Sequence, residues 1–174
     1  MDRRPIKTVS SIKKALISLI RTKKISEIKV IDICNKANVS RSTFYLHFAD
    51  INDLIDQIEE EQIEPIFRIC LGFHADNIKE KCTEIARFIK KNCAVFKLLL
   101  LKTDDHFENK FKNKIDKLMI ASLGDSKKST FTKYYFSFIL NGASGVFKSW
   151  ILDDCAMDEC EIIDNFISYI RQTI

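Results

Sequence analysis

Glycine and proline are scarce, four and two among 174 residues, which leaves little material for hairpins or long flexible linkers and points to a compact, mostly helical chain. Long apolar runs are absent too. None reaches the ~18 residues of a membrane span. The opening residues are charged (Arg3, Arg4, Lys7), so neither a membrane segment nor a secretory signal is expected, and the expected location is cytoplasmic. The six cysteines, at 34, 70, 82, 93, 155 and 160, form no CxxC pair, and the CxxxxC spacing of Cys155 and Cys160 has no neighbouring histidine. They read as small buried hydrophobes in a reducing compartment. The three histidines stand far apart, and no acid–base pair, nucleophile or metal cluster converges, so no enzyme, metal site or cofactor is expected. What is present is apolar: 46% hydrophobic residues suffice for a core.

Charge is unevenly divided. Residues 1–49 hold 11 Lys/Arg against 3 Asp/Glu and the remaining 125 hold 17 against 21, so a head of +8 precedes a body of −4. A polyanion suits such a head, because each Lys or Arg placed on a phosphate releases counterions.

Helical periodicity divides the head. Ile12, Ala15, Leu16, Leu19 and Ile20 fall on one face of a first helix, with Thr8 or Ser10 as its expected cap and Lys23 and Lys24 near its negative end. Val30, Ile33, Cys34 and Ala37 form a shorter second stripe. Asn38 tolerates the left-handed conformation that ends a helix, Val39 turns inward, and Ser40 is placed to cap a third helix at Thr43. That third helix buries Phe44 and Phe48, while Arg41, Ser42, Thr43, Tyr45 and His47 lie off the stripe. Those outward residues suit a major-groove helix: Arg forks onto guanine, hydroxyls and imidazole reach bases or phosphates, and the helix N-terminus favours anions.

Residues 30–55, VIDICNKANVSRSTFYLHFADINDLI, resemble the helix-turn-helix of the TetR family of bacterial transcriptional regulators. The family pattern is an aliphatic second helix, A-G-V-S, a T-[LF]-Y-x-H-F recognition helix and K-x-x-L; Ala37, Val39, Ser40, Thr43, Phe44, Tyr45, His47, Phe48 and Leu54 match in register. The resemblance implies an all-α protein. Its three-helix DNA-binding head would occupy residues 1–49, and a connecting helix would lead into a body over 50–174 that dimerises and holds a ligand pocket. Three positions depart. Asn38 replaces the usual Gly; Lys29 replaces a capping Thr, offering a longer phosphate contact but leaving the cap to another group; and Ile51 replaces a Lys that usually contacts phosphate.

Beyond the head, Asp50 is positioned to cap a long helix whose apolar contacts are Ile51, Leu54, Ile55, Ile58, Ile63, Phe67 and Leu71, with Glu59, Glu60 and Glu61 on a solvated outer face and a kink or interruption expected near Gln62 to Glu64, ahead of Pro65. Further helices are expected at about 76–92, 93–102, 106–122, 128–153 and 158–173. Phe88, Phe96, Phe107, Phe111 and Tyr134 are the candidate lining of an effector pocket, with Trp150 beside them. The helix over 128–153 is apolar around most of its circumference and so needs a second partner; Phe138, Gly142 and Gly145 on it, with Phe166, Ile167 and Ile170 on the last helix, are the candidate dimer interface. The reading is a repressor that binds a palindromic operator on double-stranded DNA as a homodimer and is released by a small-molecule effector of undefined class. The alternative is a partner-dependent activator, or a helical interaction module without a pocket.

Overall fold

The computed structural model describes residues 4–72, 76–102, 105–122 and 130–173. Among them the chain forms α1 (Arg4–Ile20), a 3₁₀ turn (Ile25–Glu27), α2 (Val30–Ala37), α3 (Arg41–His47), α4 (Ile51–Leu71), α5 (Ile78–Lys91), α6 (Cys93–Lys102), α7 (His106–Ser122), α8 (Thr130–Leu152) and α9 (Glu159–Thr173), with no strand. Arg3 and His74 lie outside the described residues, as do the side chains of Arg4, Phe131, Tyr135 and Phe136.

The first helix buries Ile12, Ala15, Leu16 and Ile20 against α2 and touches α6 of the body. It begins at Arg4, so neither Thr8 nor Ser10 caps it. Pro5 falls in the first turn, where its missing N–H leaves no bond unmade, and the helix therefore starts upstream of both hydroxyls.

Helix α4 starts on a reciprocal cap: the Asp50 carboxylate accepts the Asp53 N–H at 2.8 Å, and the Asp53 carboxylate accepts the Ala49 N–H at 2.8 Å. It runs through Pro65 as one helix, so the proline does not interrupt it. Burial of Ile63 and Ile66 on either side of the proline holds the segment helical despite the lost backbone bond. Leu71, expected to pack, is exposed at the helix end.

The acidic run of α4 is the larger correction. Glu59 has no exposed surface and Glu60 turns half-buried toward α7, whereas Glu61 stays exposed, as expected, and meets Lys13 of α1 at 2.7 Å. Lys110 Nζ lies 2.8 Å from Asp56 and 3.4 Å from Glu59, His106 Nδ1 lies 3.1 Å from Glu59, and Lys114 pairs with both Glu60 and Glu64. Residues 106, 110 and 114 are successive turns of α7, so two helices carrying opposite charges at helical spacing dock side by side.

The rest of the body follows from apolar burial. Ile85, Ala86 and Ile89 of α5 pack with Ile162 and Ile163 of α9, and α6 contributes Phe96, Leu98 and Leu99 to the same core. Trp150 closes the end of α8 by donating its indole N–H to the Met157 carbonyl at 3.1 Å. Asp158 caps α9 through the Cys160 N–H at 2.9 Å. The cysteines are free thiols, and burial pushes Cys70 and Cys155 up to about 12, the state of packing residues without thiolate character.

Candidate nucleic-acid interface

The turn between α2 and α3 is built locally. Lys29 precedes α2 in an extended conformation without a side-chain cap; the Asp32 N–H donates to the Lys29 carbonyl at 2.9 Å, and the Asp32 carboxylate accepts the Lys29 N–H at 3.0 Å. After Ala37 the chain reverses at Asn38, which adopts φ 55° and ψ 50°, and the Val39 N–H returns to the Cys34 carbonyl at 3.0 Å. A β-branched residue at that φ would clash; Asn does not. Ser40 then resumes extended backbone, and its hydroxyl accepts the Thr43 N–H at 3.0 Å.

Helix α3 is fixed by two rings. Phe44 and Phe48 are buried against one another and the α1/α2 core, with centroids 5.6 Å apart. Phe44 also meets Tyr45 edge-on at 5.5 Å, which braces the Tyr45 ring while half of that residue remains exposed.

Of the residues the sequence nominated, Lys29, Ser40, Arg41, Ser42 and Tyr45 are exposed, and Thr43 and His47 are half-buried on the flanks of α3. The hydroxyls do double service: Ser40 Oγ lies 2.8 Å from both Ser42 Oγ and Thr43 Oγ1, so the three form one cluster at the start of α3. Ser40 is therefore first a cap. Leu46 was not nominated, yet it is 78% exposed, the highest value for a large hydrophobic side chain among the described residues. Its signal was present as a leucine two positions from each buried phenylalanine. Ile51, at the position of the usual Lys, is half-buried and packs on the core, so α4 gains an apolar anchor there in place of a cation.

The nominated pocket residues divide. Phe88, Phe96 and Phe107 form an edge-to-face chain, with centroids 6.1 and 5.8 Å apart, and Phe111 packs half-buried against that core. Tyr134 is 67% exposed and stands apart from the three stacked rings. A cleft of about 880 Å³ between α1, α4 and α5 is lined by Lys13, Glu60, Glu61, Glu64 and Pro65 and takes in Phe88 alone of that set. A second space, of about 920 Å³, runs between α8 and α9 and is lined by Phe138, Gly142, Gly145, Phe166 and Ile170, five of the six nominated interface residues. Ile167 packs into the core beside it. As for metal ligands, Asp56, Glu59 and His106 bring ligand atoms within 4.8 Å of one another, but the Lys110 ammonium already lies on both carboxylates.

Residues 76–172, more than half of the chain, match a TetR-type family model described as "Transcriptional regulator C-terminal region". No curated protein matches. Three solved structures are similar along nearly the whole chain. "The crystal structure OF TetR transcriptional regulator from Streptococcus agalactiae 2603V" is 24% identical with TM-score 0.69, covering 97% of this chain and 96% of that one. "Dihydroxyacetone kinase operon activator DhaS" is 18% identical with TM-score 0.65, covering 96% of each chain. The fatty acid degradation regulator FadR from Bacillus halodurans is 18% identical with TM-score 0.60, covering 91% of this chain and 92% of that one. At these identities the likeness establishes the fold.

Proposed function

The chain belongs to the TetR family of transcriptional regulators, and on that premise we propose that it represses transcription by binding a palindromic operator as a homodimer. Residues 1–49 act as the DNA-binding domain and residues 50–174 as the dimerisation and effector-responsive body. The observation that carries the reading is the outward face of α3, where Arg41, Ser42 and Tyr45 project from a helix whose opposite side is pinned by Phe44 and Phe48. Lys29 and Lys36 extend the basic surface toward the flanking phosphates. One helix as short as α3 reads only a few base pairs; a two-fold dimer places two copies in successive major grooves, so half-sites are spaced by about one helical turn, ~10 base pairs. A ligand bound in the body that favours another spacing of the heads weakens this binding by population shift.

The test is selection of bound sequences from random duplex DNA by the purified protein, followed by titration at several salt concentrations. The expected outcome is a palindromic consensus, a steep fall in affinity with salt, and a loss of at least tenfold in the Tyr45→Ala, His47→Ala double variant, about 1.4 kcal/mol or more for the contacts removed together. Equal and weak binding by wild type and variant excludes the reading. Activation is the second reading, favoured by the likeness to DhaS, an operon activator. A promoter carrying the selected site upstream of a reporter separates the two by the sign of its response.

A further inference from the structure

We propose that Leu46 is a specificity-determining residue that reads the C5-methyl group of a thymine in the major groove. The inference rests on the DNA-reading function proposed above and assigns one element of its sequence preference. An α-helix turns about 100° per residue. Phe44 and Phe48, the buried residues of the α3 segment, therefore place its inner side between them, and Leu46, two residues from each, lies diametrically opposite at the crest of the outer face. Tyr45 and His47 flank it, and Ser42 precedes it by one turn.

A leucine 78% exposed at that crest gains nothing from the fold, and helix propensity alone favours Ala there. Its side chain offers no hydrogen bond to phosphate or to a base edge. Among the four bases, only thymine presents an apolar group in the major groove. Against the cytosine or adenine amino group, or against the O6 and N7 acceptors of guanine, the isobutyl group would strip water from a polar edge and give no bond back. Leu46 thus favours thymine both by contact and by penalising the alternatives. The neighbouring hydroxyls do not duplicate this role, since those of Ser42 and Thr43 each lie 2.8 Å from the Ser40 hydroxyl.

The experiment uses the full chain and the selected duplex, with each thymine replaced in turn by deoxyuridine, which removes the methyl and leaves pairing unchanged. The wild type is expected to lose about fourfold in affinity at one thymine per half-site, the effect of returning one methyl to water. Leu46→Ala should bind the thymine and deoxyuridine duplexes equally, at the wild-type affinity for the duplex that carries deoxyuridine in both half-sites, with unchanged thermal stability. A methyl effect that persists in Leu46→Ala, or the absence of any methyl-sensitive thymine in the wild type, overturns the assignment while the DNA-reading function stands. Failure of the wild type to bind any duplex overturns both. A Leu46→Ala variant that unfolds at lower temperature also overturns it, because the side chain would then be packing within the protein; Leu46→Met, which keeps an apolar contact, is expected to retain the methyl response.

Discussion

Glu59 carries a carboxylate without exposed surface, and its neighbours on α7 determine whether that is tolerable. Lys110 is drawn two ways: burial works against its charge, but the hydrogen bond and charge of Asp56, with those of Glu59, outweigh it and raise its pKa above the ordinary lysine value. A raised lysine pKa contributes stability that is present below about 10.5 and lost only as the pH climbs through the folded value. Neutral solution therefore leaves the cluster fully charged on the lysine side. Lys110→Met should cost about 1–3 kcal/mol in urea unfolding near neutrality, less than the loss of a fully buried partner because Lys110 and His106 are partly solvated. Glu59→Gln in the same chain should recover part of that loss. Additive losses in the double variant would show that the two groups act independently.

At the level of elements, the turn and caps of the reading head obey local rules that can be tested separately. Ser40→Ala is expected to lower stability by about 1 kcal/mol through the unmet Thr43 N–H. Asn38→Gly should be neutral or better, while Asn38→Val should cost about 1–2 kcal/mol at φ 55°. Thermal unfolding of the three variants checks the order. The acidic caps carry a pH signature. Asp53 is held below the ordinary carboxylate range chiefly by the Ala49 N–H and further by Gln57, and Asp158 chiefly by the Cys160 N–H. Depressed carboxylates stabilise above their unfolded value of 3.8 and lose that contribution as the pH falls through the lower folded value. Asp53→Asn and Asp158→Asn should flatten the decline of the urea midpoint as the pH is lowered through and below 3.8. An unchanged slope would place acid unfolding elsewhere.

On the scale of the whole molecule, the proposed two-fold interface explains a feature one chain leaves unexplained. A Cβ built on Gly142 or Gly145 meets nothing within 4 Å, and Phe138 is 64% exposed, so neither glycine is required by internal packing although each costs helix stability. Gly145→Ala should stabilise the isolated chain by up to about 1 kcal/mol. Phe138→Glu should leave the fold intact and convert a particle of twice the chain mass into one of single mass in sedimentation, with loss of palindrome binding. A wild type that sediments as a single chain excludes the dimer.

Sequence alone determined the helices and, apart from the start of α1, the local closures of the head. Helix period, Asn at a left-handed position and hydroxyl or carboxylate groups at N-caps act within a few residues, so α2, its turn, α3 and the start of α4 were legible residue by residue, as were the bounds of α5 to α9 to within about two residues. Tertiary structure decided what each face meets. The same period that places Glu59, Glu60 and Glu61 on α4 cannot reveal that a basic helix about 50 residues later covers Glu59, and the burial that keeps α4 continuous through Pro65 is likewise non-local. The edge-to-face contact of Phe96 with Phe107 also joins residues of two different helices. The stripe of Phe44 and Phe48 already fixes which way α3 is turned; what the structure adds is that nothing else among the described residues covers Leu46 on the opposite side. Local bonds are written in adjacent residues; burial is a property of the partner, and only the assembled fold supplies it.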